Sequence, residues 1–299
     1  MLTIRKAEER GRTRFDWLDG KHSFSFGRYV DRAHMGFRSL RVINDDVVAP
    51  GGGFGMHPHE EMEILTFVID GALEHADSTG GGAVIHPGDV QRMSAGTGIR
   101  HSEFNASKTD PVRLLQVWIM PGTPGVDPGY EQISAGDIDR DDRLALVATP
   151  GGGAGAVHIH ADARVYTARL APGSSVSHGL QAGRGAWVQV YAGEVVVNGQ
   201  TLRDGDGLAV EGESSIEITG GRAAASSCFS IWPERINSHS LKDQPSHERE
   251  HHEHQVACRE DAGRHPQRDH HRDDEGVVLR QRRDAGEHQR ADGRSRGEP

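Results

Sequence analysis

The sequence predicts an all-β fold made of two similar barrels and a polar tail. The 299 residues include 39 glycines, while aromatic residues make up only 5%, a composition typical of a turn-rich β protein. Short apolar runs, such as residues 63–69 and 114–120, alternate with glycine-containing turns, as in a β-sandwich or barrel. The segments 68–74 and 190–196 share one pattern, which indicates an internal duplication.

In the first half, apolar runs of strand length alternate with polar turns. Leu40, Val42 and Ile43 are apolar and predict a strand over residues 40–43. Asn44, Asp45 and Asp46 predict a turn, and the glycines at 51–53 predict a loop. Further strands are expected at 63–69, 83–85 and 114–120.

A segment rich in proline and glycine, residues 121–129, separates the two halves and is predicted to be a linker. Beyond it, Asn198-Gly199 is a strong hairpin signal, because Asn-Gly readily adopts the positive φ angles of the favoured two-residue turns. Strands are expected in this half at 165–170, 186–191, 194–197 and 215–218. The predicted domains are therefore residues 1–120 and 121–232.

Residues 233–299 form the predicted tail. They contain no aromatic residue and few apolar ones, so this segment cannot bury enough apolar surface to fold alone. His251, His252 and His254 have a metal-binding composition, but we interpret the segment as a solvated, disordered polar tail. A further hypothesis is a change of reading frame near residue 225 that replaced the last strand and added the tail. Sequencing the gene again tests it.

The overall composition argues against several classes of protein. A formal net charge of −10 is unfavourable for a general nucleic-acid-binding surface. The charged N-terminal residues are unlike a signal peptide, and no apolar run approaches the ~20 residues of a membrane span. Cys228 and Cys258 give no disulfide framework. We therefore expect a cytoplasmic protein that binds neither nucleic acid directly nor a membrane.

Two pairs of potential metal ligands are the main chemical feature of the sequence. His57 and His59 are two residues apart, and so are His101 and Glu103. Residues with this spacing point to the same face of a β-strand, so each pair can direct two donors at one point. Three imidazoles and one carboxylate suit a divalent metal such as iron, nickel, cobalt or copper, with positions left open for substrate.

The two pairs lie in motifs that resemble those of the cupins, which are small β-barrels that hold a metal in the barrel mouth. More specifically, the chain resembles the pirin family over roughly residues 1–232. The matching segments are 5–9, 41–46, 54–59, 62–65 and 93–103. The resemblance implies two cupin barrels of the double-stranded β-helix or jelly-roll type, with metal only in the N-terminal one.

The resemblance also implies a ligand set. In pirins, the positions of His57, His59, His101 and Glu103 are the metal ligands. Iron(II) is the expected metal, and nickel, cobalt, copper, manganese and zinc are alternatives because this donor set accepts several first-row ions. Glu63 stands where cupins usually have a ligand glutamate, and it shares strand parity with His57 and His59. We favour Glu103 as the ligand and keep Glu63 as its competitor, or as an acceptor for a ligand imidazole.

Bacterial proteins that resemble this chain are implicated as quercetin 2,3-dioxygenases. The resemblance thus implies a metal-dependent dioxygenase that opens the heterocyclic ring of a flavonol, or a similar small aromatic substrate, with O2 and releases carbon monoxide. Glu103 is the first candidate for the catalytic base and Glu63 the second. Phe54, Met56 and Phe104 are candidates for the wall of an apolar pocket. The alternative is a metal- and redox-sensitive regulatory protein that binds a transcription factor or a metabolic enzyme.

The remaining histidines of the two halves have simpler interpretations. His75 and His86 lie near predicted turns, and we expect them to be exposed or structural. His158 and His160 have the spacing of a ligand pair, but residues 208–210, at the expected place of the partner strand, offer no ligand. We therefore predict a metal-free second barrel.

Overall fold

Regular structure in this protein is almost entirely β-strand. The computed structural model describes residues 1–153, 155–222 and 225–232, the last of these by its backbone alone. Two short 3-10 turns, Ala7–Glu9 and Ala135–Asp137, accompany the strands. The all-β prediction is confirmed. Among the described residues, none of the helical segments has the length and apolarity to cross a membrane.

The described strands fall into two sets of similar size. In the first set they are β1 (Leu2–Arg5), β2 (Gly11–Arg14), β3 (Leu18–His22), β4 (Leu40–Val48), β5 (Gly53–His59), β6 (Glu63–Asp70), β7 (Leu73–Asp77), β8 (Gly82–Ile85), β9 (Val90–Ser94), β10 (Ile99–Asn105), β11 (Val112–Ile119) and β12 (Gly129–Ile133). In the second set they are β13 (Ala145–Thr149), β14 (Val157–His158), β15 (Arg164–Leu170), β16 (Ser175–Gly179), β17 (Gly185–Ala192), β18 (Glu194–Val197), β19 (Gln200–Arg203), β20 (Gly207–Glu211), β21 (Ser215–Gly220) and β22 (Ala225–Trp232).

Each half combines a seven-stranded sheet with a four-stranded sheet. The small sheet has the order β5-β10-β7-β8 in the first half and β16-β21-β18-β19 in the second. The two small sheets correspond strand by strand, and each ends in a hairpin of consecutive strands. The predicted duplication and the two cupin barrels are thereby confirmed.

The two large sheets exchange strands. β1, at the N-terminus, pairs with β20 of the second half, whereas β12, which follows the linker, pairs with β9 of the first half. The sheets are therefore not separated between residues 120 and 121, since a strand on each side of that point lies in the sheet of the other half. The domain boundaries themselves stay predictions.

The predicted tail, residues 233–299, lies outside the described residues. The frame-change hypothesis concerns the chain from residue 225 onward, where the structure describes only the backbone of β22. That strand pairs with β15 on one side and β17 on the other. The hypothesis of a frame change stays a prediction.

Strand β4 runs without interruption through residues predicted to form a turn. Asn44, Asp45 and Asp46 are buried and pair with β11. Asn and Asp favour turns because their side chains compete for backbone hydrogen bonds. Here tertiary partners occupy two of them: His22 Nδ1 lies 2.7 Å from Asn44 Oδ1, and Arg113 Nε donates to Asp45 Oδ1 at 2.9 Å. The turn prediction is wrong, because tertiary contacts override local propensity.

Buried apolar side chains join the two halves. Phe24 packs on Trp187 with ring centroids 4.8 Å apart, in a large core that draws residues from both halves. Burying each such aromatic side chain stabilises the fold by about 2–3 kcal/mol. A smaller core inside the first barrel continues into the partly buried Phe15, Trp17 and Phe54. These three rings therefore pack against buried apolar side chains.

Candidate metal centre

The four predicted metal ligands lie on two neighbouring strands of the first small sheet. β5 carries His57 and His59, and β10 carries His101 and Glu103. Antiparallel pairing places His101 directly opposite His57. All four residues are between 1% and 5% exposed, because their side chains face the barrel interior, as the spacing of two residues predicts.

The three imidazoles converge on one point. The ring centroids of His57 and His101 are 4.4 Å apart, and that of His59 lies 4.8 Å from each of the other two. One nitrogen from each ring lies within 4.8 Å of the others. Such a group can offer three nitrogen donors to a single metal ion.

The first two imidazoles are held by contacts away from this point. Nδ1 of His57 lies 2.7 Å from the carbonyl oxygen of Gly55, which can only accept a hydrogen bond. Nδ1 of His57 therefore carries the proton, and its Nε2 carries the lone pair that a metal requires. The ring of His59 packs edge-on against Trp118, with centroids 4.8 Å apart.

His101 is held by a chain of polar groups. Its Nδ1 lies 3.5 Å from Nδ1 of His75, whose Nε2 lies 3.1 Å from Oδ2 of Asp77. Protons on Nδ1 of His101 and Nε2 of His75 satisfy both contacts and leave the lone pair of His101 on Nε2. That atom is buried and has no hydrogen-bond partner among the described residues.

Electrostatics favour the neutral form of His101. Burial, and then the neighbouring His57 and His59, lower its pKa well below the usual value. A histidine must be neutral to bind a metal, so this environment prepares the ring for coordination.

The carboxylate of Glu103 is held on one side only. Its Oε2 accepts a hydrogen bond from Nε2 of Gln116 at 2.8 Å, and Oε1 of Gln116 accepts one from Nε1 of Trp118 at 3.0 Å. Oε1 of Glu103 is buried and has no partner among the described residues. Burial raises the pKa of Glu103, and the hydrogen bond from Gln116 opposes this effect.

Glu103 forms a second group of possible ligands together with His75 and His101. The two groups share His101, so the barrel offers the three converging imidazoles with a carboxylate beside them. A buried imidazole nitrogen and a buried carboxylate oxygen that both lack a partner fit a divalent transition metal, which would satisfy both.

Glu63, the competing carboxylate, lies elsewhere. Its Oε2 accepts a hydrogen bond from Oγ of Ser94 at 2.8 Å, and its Oε1 lies 3.3 Å from Nδ1 of His160. It belongs to neither group of possible ligands. Thr66 on β6, in the large sheet, pairs with Gln116 beside Glu103. Glu63 is on the same strand, three residues before Thr66, so the two side chains point to opposite faces of the sheet. Strand alternation therefore turns Glu63 away from the imidazoles.

Known proteins are similar in sequence to much of this chain. Residues 3–119 match the pirin family, and residues 146–229 match the quercetinase C-terminal cupin domain. The chain is 45% identical over 218 residues to the quercetin 2,3-dioxygenase of Escherichia coli K12, an alignment that covers 73% of this chain and 93% of that protein. The chain belongs to the pirin family.

Solved pirin structures agree with this assignment. The crystal structure of YhhW from Escherichia coli has a TM-score of 0.75 and 43% identity, covering 78% of this chain and 98% of that one. Bacterial pirin YhhW in complex with nickel(II) has a TM-score of 0.73 and 42% identity, over 78% of this chain and 100% of that one. The fold, and a metal site built on histidines, are thus properties of this pirin.

His75 is the residue of this pirin site that the sequence reasoning missed. It was expected near a turn, exposed or structural, but it is 1% exposed and lies on β7, where it pairs with Glu103 on β10. Its ring also packs against Tyr130, with centroids 4.9 Å apart. The signal available was the spacing His75-x-Asp77, which repeats the two-residue spacing of the ligand pairs.

The second barrel of the pirin has different residues at the equivalent place. The strands that correspond to β5 and β10 are β16 and β21, where His178 pairs with Ile216 and Val176 with Ile218. The proposed partner strand at residues 208–210 is wrong, because β20 lies in the large sheet between β1 and β17. In the described residues, both groups of possible metal ligands lie in the first half.

A cleft of about 700 Å³, including space open to solvent, reaches the metal centre. Phe54 lines it as predicted, whereas Met56 is 41% exposed and Phe104 does not line this cleft. Sequence reasoning missed most of the lining, which comes from β2, β3, β4 and the loops on either side of β3, far from the ligands in the chain. The further lining residues include Phe15, Trp17, His22, Phe26, Asn44, Asp46 and Gln116.

Proposed function

We propose that this pirin is a metal-dependent dioxygenase that opens the heterocyclic ring of a flavonol such as quercetin with O2 and releases carbon monoxide. The observation that supports it best is the convergence of three buried imidazoles beside Glu103, with His57 and Glu103 both lining an aromatic-walled cleft. The activity named for the 45% identical relative supports the same reaction.

In this proposal, His57, His59, His101 and Glu103 hold the metal. The partners of His57 and His101 leave their Nε2 lone pairs available, and Oε1 of Glu103 has no other partner in the described part of the chain. Iron(II) remains the expected metal. The nickel complex of the related protein agrees with a donor set that accepts several first-row ions, so elemental analysis of the purified protein decides the metal.

The metal, when bound, lowers the pKa of the flavonol 3-hydroxyl group. Glu103 is the base that accepts this proton on Oε2, which Gln116 holds in place, so that Oε1 remains the oxygen that binds the metal. Glu63 is left out as a base because Ser94 and His160 occupy its oxygens. Both atoms of O2 enter the ring-opened ester, the bonds from carbon 3 to its two ring neighbours break, and that carbon leaves as carbon monoxide.

The test is quercetin turnover by the metal-loaded full chain, followed by oxygen uptake and carbon monoxide release. We expect His101→Ala to abolish both metal binding and turnover. His86→Ala is the matched control, because the side chain of His86 is 65% exposed and outside the site; it should retain both. Fully loaded wild-type protein that consumes no oxygen with quercetin would overturn the proposal.

The regulatory alternative requires the same metal ligands and stays a prediction. Capture of a protein partner that depends on the oxidation state of the metal, in a protein without quercetin turnover, would favour it. A cytoplasmic location likewise stays a prediction, which cell fractionation tests.

A further inference from the structure

Asp46 is a buried carboxyl group that lines the cleft and has no partner. It is 5% exposed, and within the described residues no hydrogen bond or ion pair reaches its side chain. Its neighbour Asp45 faces the other side of β4, where Arg113 and Arg10 hold it. Of two adjacent aspartates, the one that faces the cleft is thus the one without a partner.

The neighbouring strand β3 has no side chain at the position beside this carboxyl group. Asp46 pairs with Gly20 on β3, and a Cβ atom at position 20 would lie 2.5 Å from Oδ1 of Asp46. A side chain at position 20 would therefore displace the carboxyl group of Asp46 from its place. Any side chain at this position would cover Asp46.

The other polar residues near Asp46 already have partners. Nδ1 of His22 lies 2.7 Å from Oδ1 of Asn44, and its Nε2 lies 2.8 Å from Oγ1 of Thr13. Burial, and then the charges of Asp45 and Glu103, raise the pKa of Asp46 well above its usual value. Apart from Oε1 of Glu103, which faces the metal centre, the carboxyl oxygens of Asp46 are those of the cleft lining that make no hydrogen bond to the described residues.

The carboxyl group of Asp46 makes no hydrogen bond to the described residues, so a ligand in the cleft can bond to it. Pockets typically combine apolar walls with a few polar groups that fix the ligand. The walls here are the rings of Phe15, Trp17 and Phe54. Aromatic walls around a carboxyl group that is not assigned to the metal match an aromatic ring that bears a hydroxyl group.

We propose that Asp46 determines substrate specificity by forming a hydrogen bond with a phenolic hydroxyl group of an aromatic ligand bound in the cleft. The proposal rests on the proposed function, because the ligand is the flavonol held at the same metal centre. It adds that the cleft selects flavonols with hydroxyl groups on their outer rings over those that lack them.

The experiment measures binding without turnover. Metal-loaded full chain is titrated in the absence of O2 with quercetin and with 3-hydroxyflavone, which keeps the 3-hydroxyl and 4-carbonyl groups but lacks the ring hydroxyls. We expect the wild type to prefer quercetin. Asp46→Asn should reduce this preference about tenfold, because the amide replaces one oxygen acceptor with a nitrogen donor and one lost hydrogen bond is worth about that factor. Affinity for 3-hydroxyflavone should not change.

Two controls separate recognition from folding. Asp46→Asn should not lower the melting temperature, because it removes an unpaired buried acid without changing the shape. Asp45→Asn, on the opposite face, should lower the melting temperature and keep the quercetin preference.

Equal preference in wild type and Asp46→Asn would overturn the proposal, as would a wild type that does not distinguish the two flavonols. Because binding is measured without O2, a protein that shows the preference but no turnover would support the role of Asp46 while contradicting the dioxygenase proposal.

Discussion

Single residues decide the protonation of the metal centre. Each imidazole can present only one lone pair, and the group bound to its other nitrogen determines which. For His57 that group is a backbone carbonyl, and for His101 it is His75, which is in turn bound to Asp77. Asp77 is fixed by Thr79, whose N–H donates to Oδ1 at 2.8 Å. The loop after β7 therefore orients a metal ligand on β10.

Replacing His75 tests this chain of contacts. His75→Leu removes the acceptor for Nδ1 of His101, so we expect metal affinity to fall about 10–100-fold, measured by competition with a chelator. His86→Leu, at an exposed histidine, should leave affinity unchanged. Unchanged affinity in His75→Leu would show that His75 does not orient the site. Loss of one nitrogen ligand in X-ray absorption spectra would instead make His75 a ligand itself.

Single elements explain why the ligands meet. The pairing of β10 with β5 shifts register between His101 and Glu103, and such a bulge redirects a side chain. Gly53 on β5 lies against this irregular part of β10. A Cβ atom at Gly53 would lie 2.6 Å from Cα of Phe104 and would also meet the carbonyl oxygen of Glu103. The absence of a side chain at position 53 lets the two strands approach.

Gly53→Ala should therefore push β5 away from β10. We expect a loss of about 1–3 kcal/mol in unfolding free energy, together with weaker metal binding, because the strands carry all four proposed ligands. Chemical denaturation and metal titration measure the two effects. Gly179→Ala in β16, where a Cβ atom would meet nothing within 4 Å, is the matched control. A variant at position 53 as stable as the wild type would contradict this role.

At the scale of the whole molecule, an ion network around the buried Asp45 links the two halves. Arg113 donates to both Asp45 of the first half and Asp204 of the second, and Arg10 adds a second cation beside Asp45. Burial alone would raise the pKa of Asp45, but the hydrogen bonds and charge of Arg113, with Arg10, lower it overall. Ionised Asp45 thus stabilises the folded state.

The pH dependence of stability follows from this direction. Because the pKa of Asp45 is lower in the folded than in the unfolded state, its contribution is complete above the unfolded pKa and is lost as pH falls through the folded pKa. Asp45→Asn should cost about 3 kcal/mol at neutral pH, and the difference from wild type should shrink as the pH falls below 4. Urea unfolding across this range measures it. A difference independent of pH would contradict the role of this charge.

The fold class, the duplication and the residues that can bind metal could be predicted from the sequence. These follow from local patterns: alternation along a strand places His57 with His59, and His101 with Glu103, whatever the remaining chain does. The sequence could not exclude Glu63, because strand parity is relative to a sheet and the sequence does not say which sheet a strand joins.

The distant residues that complete the site became known from the three-dimensional structure. His75 reaches His101 through the pairing of β7 with β10, and Asp46 reaches the cleft because β4 continues where Asn and Asp predict a turn. The hydrogen bonds that Asn44 and Asp45 make with distant residues outweigh their local preference for a turn. Those partners lie on other strands, and the pairing of these strands depends on the joint burial of residues that are far apart in the chain. No short segment of sequence carries this information.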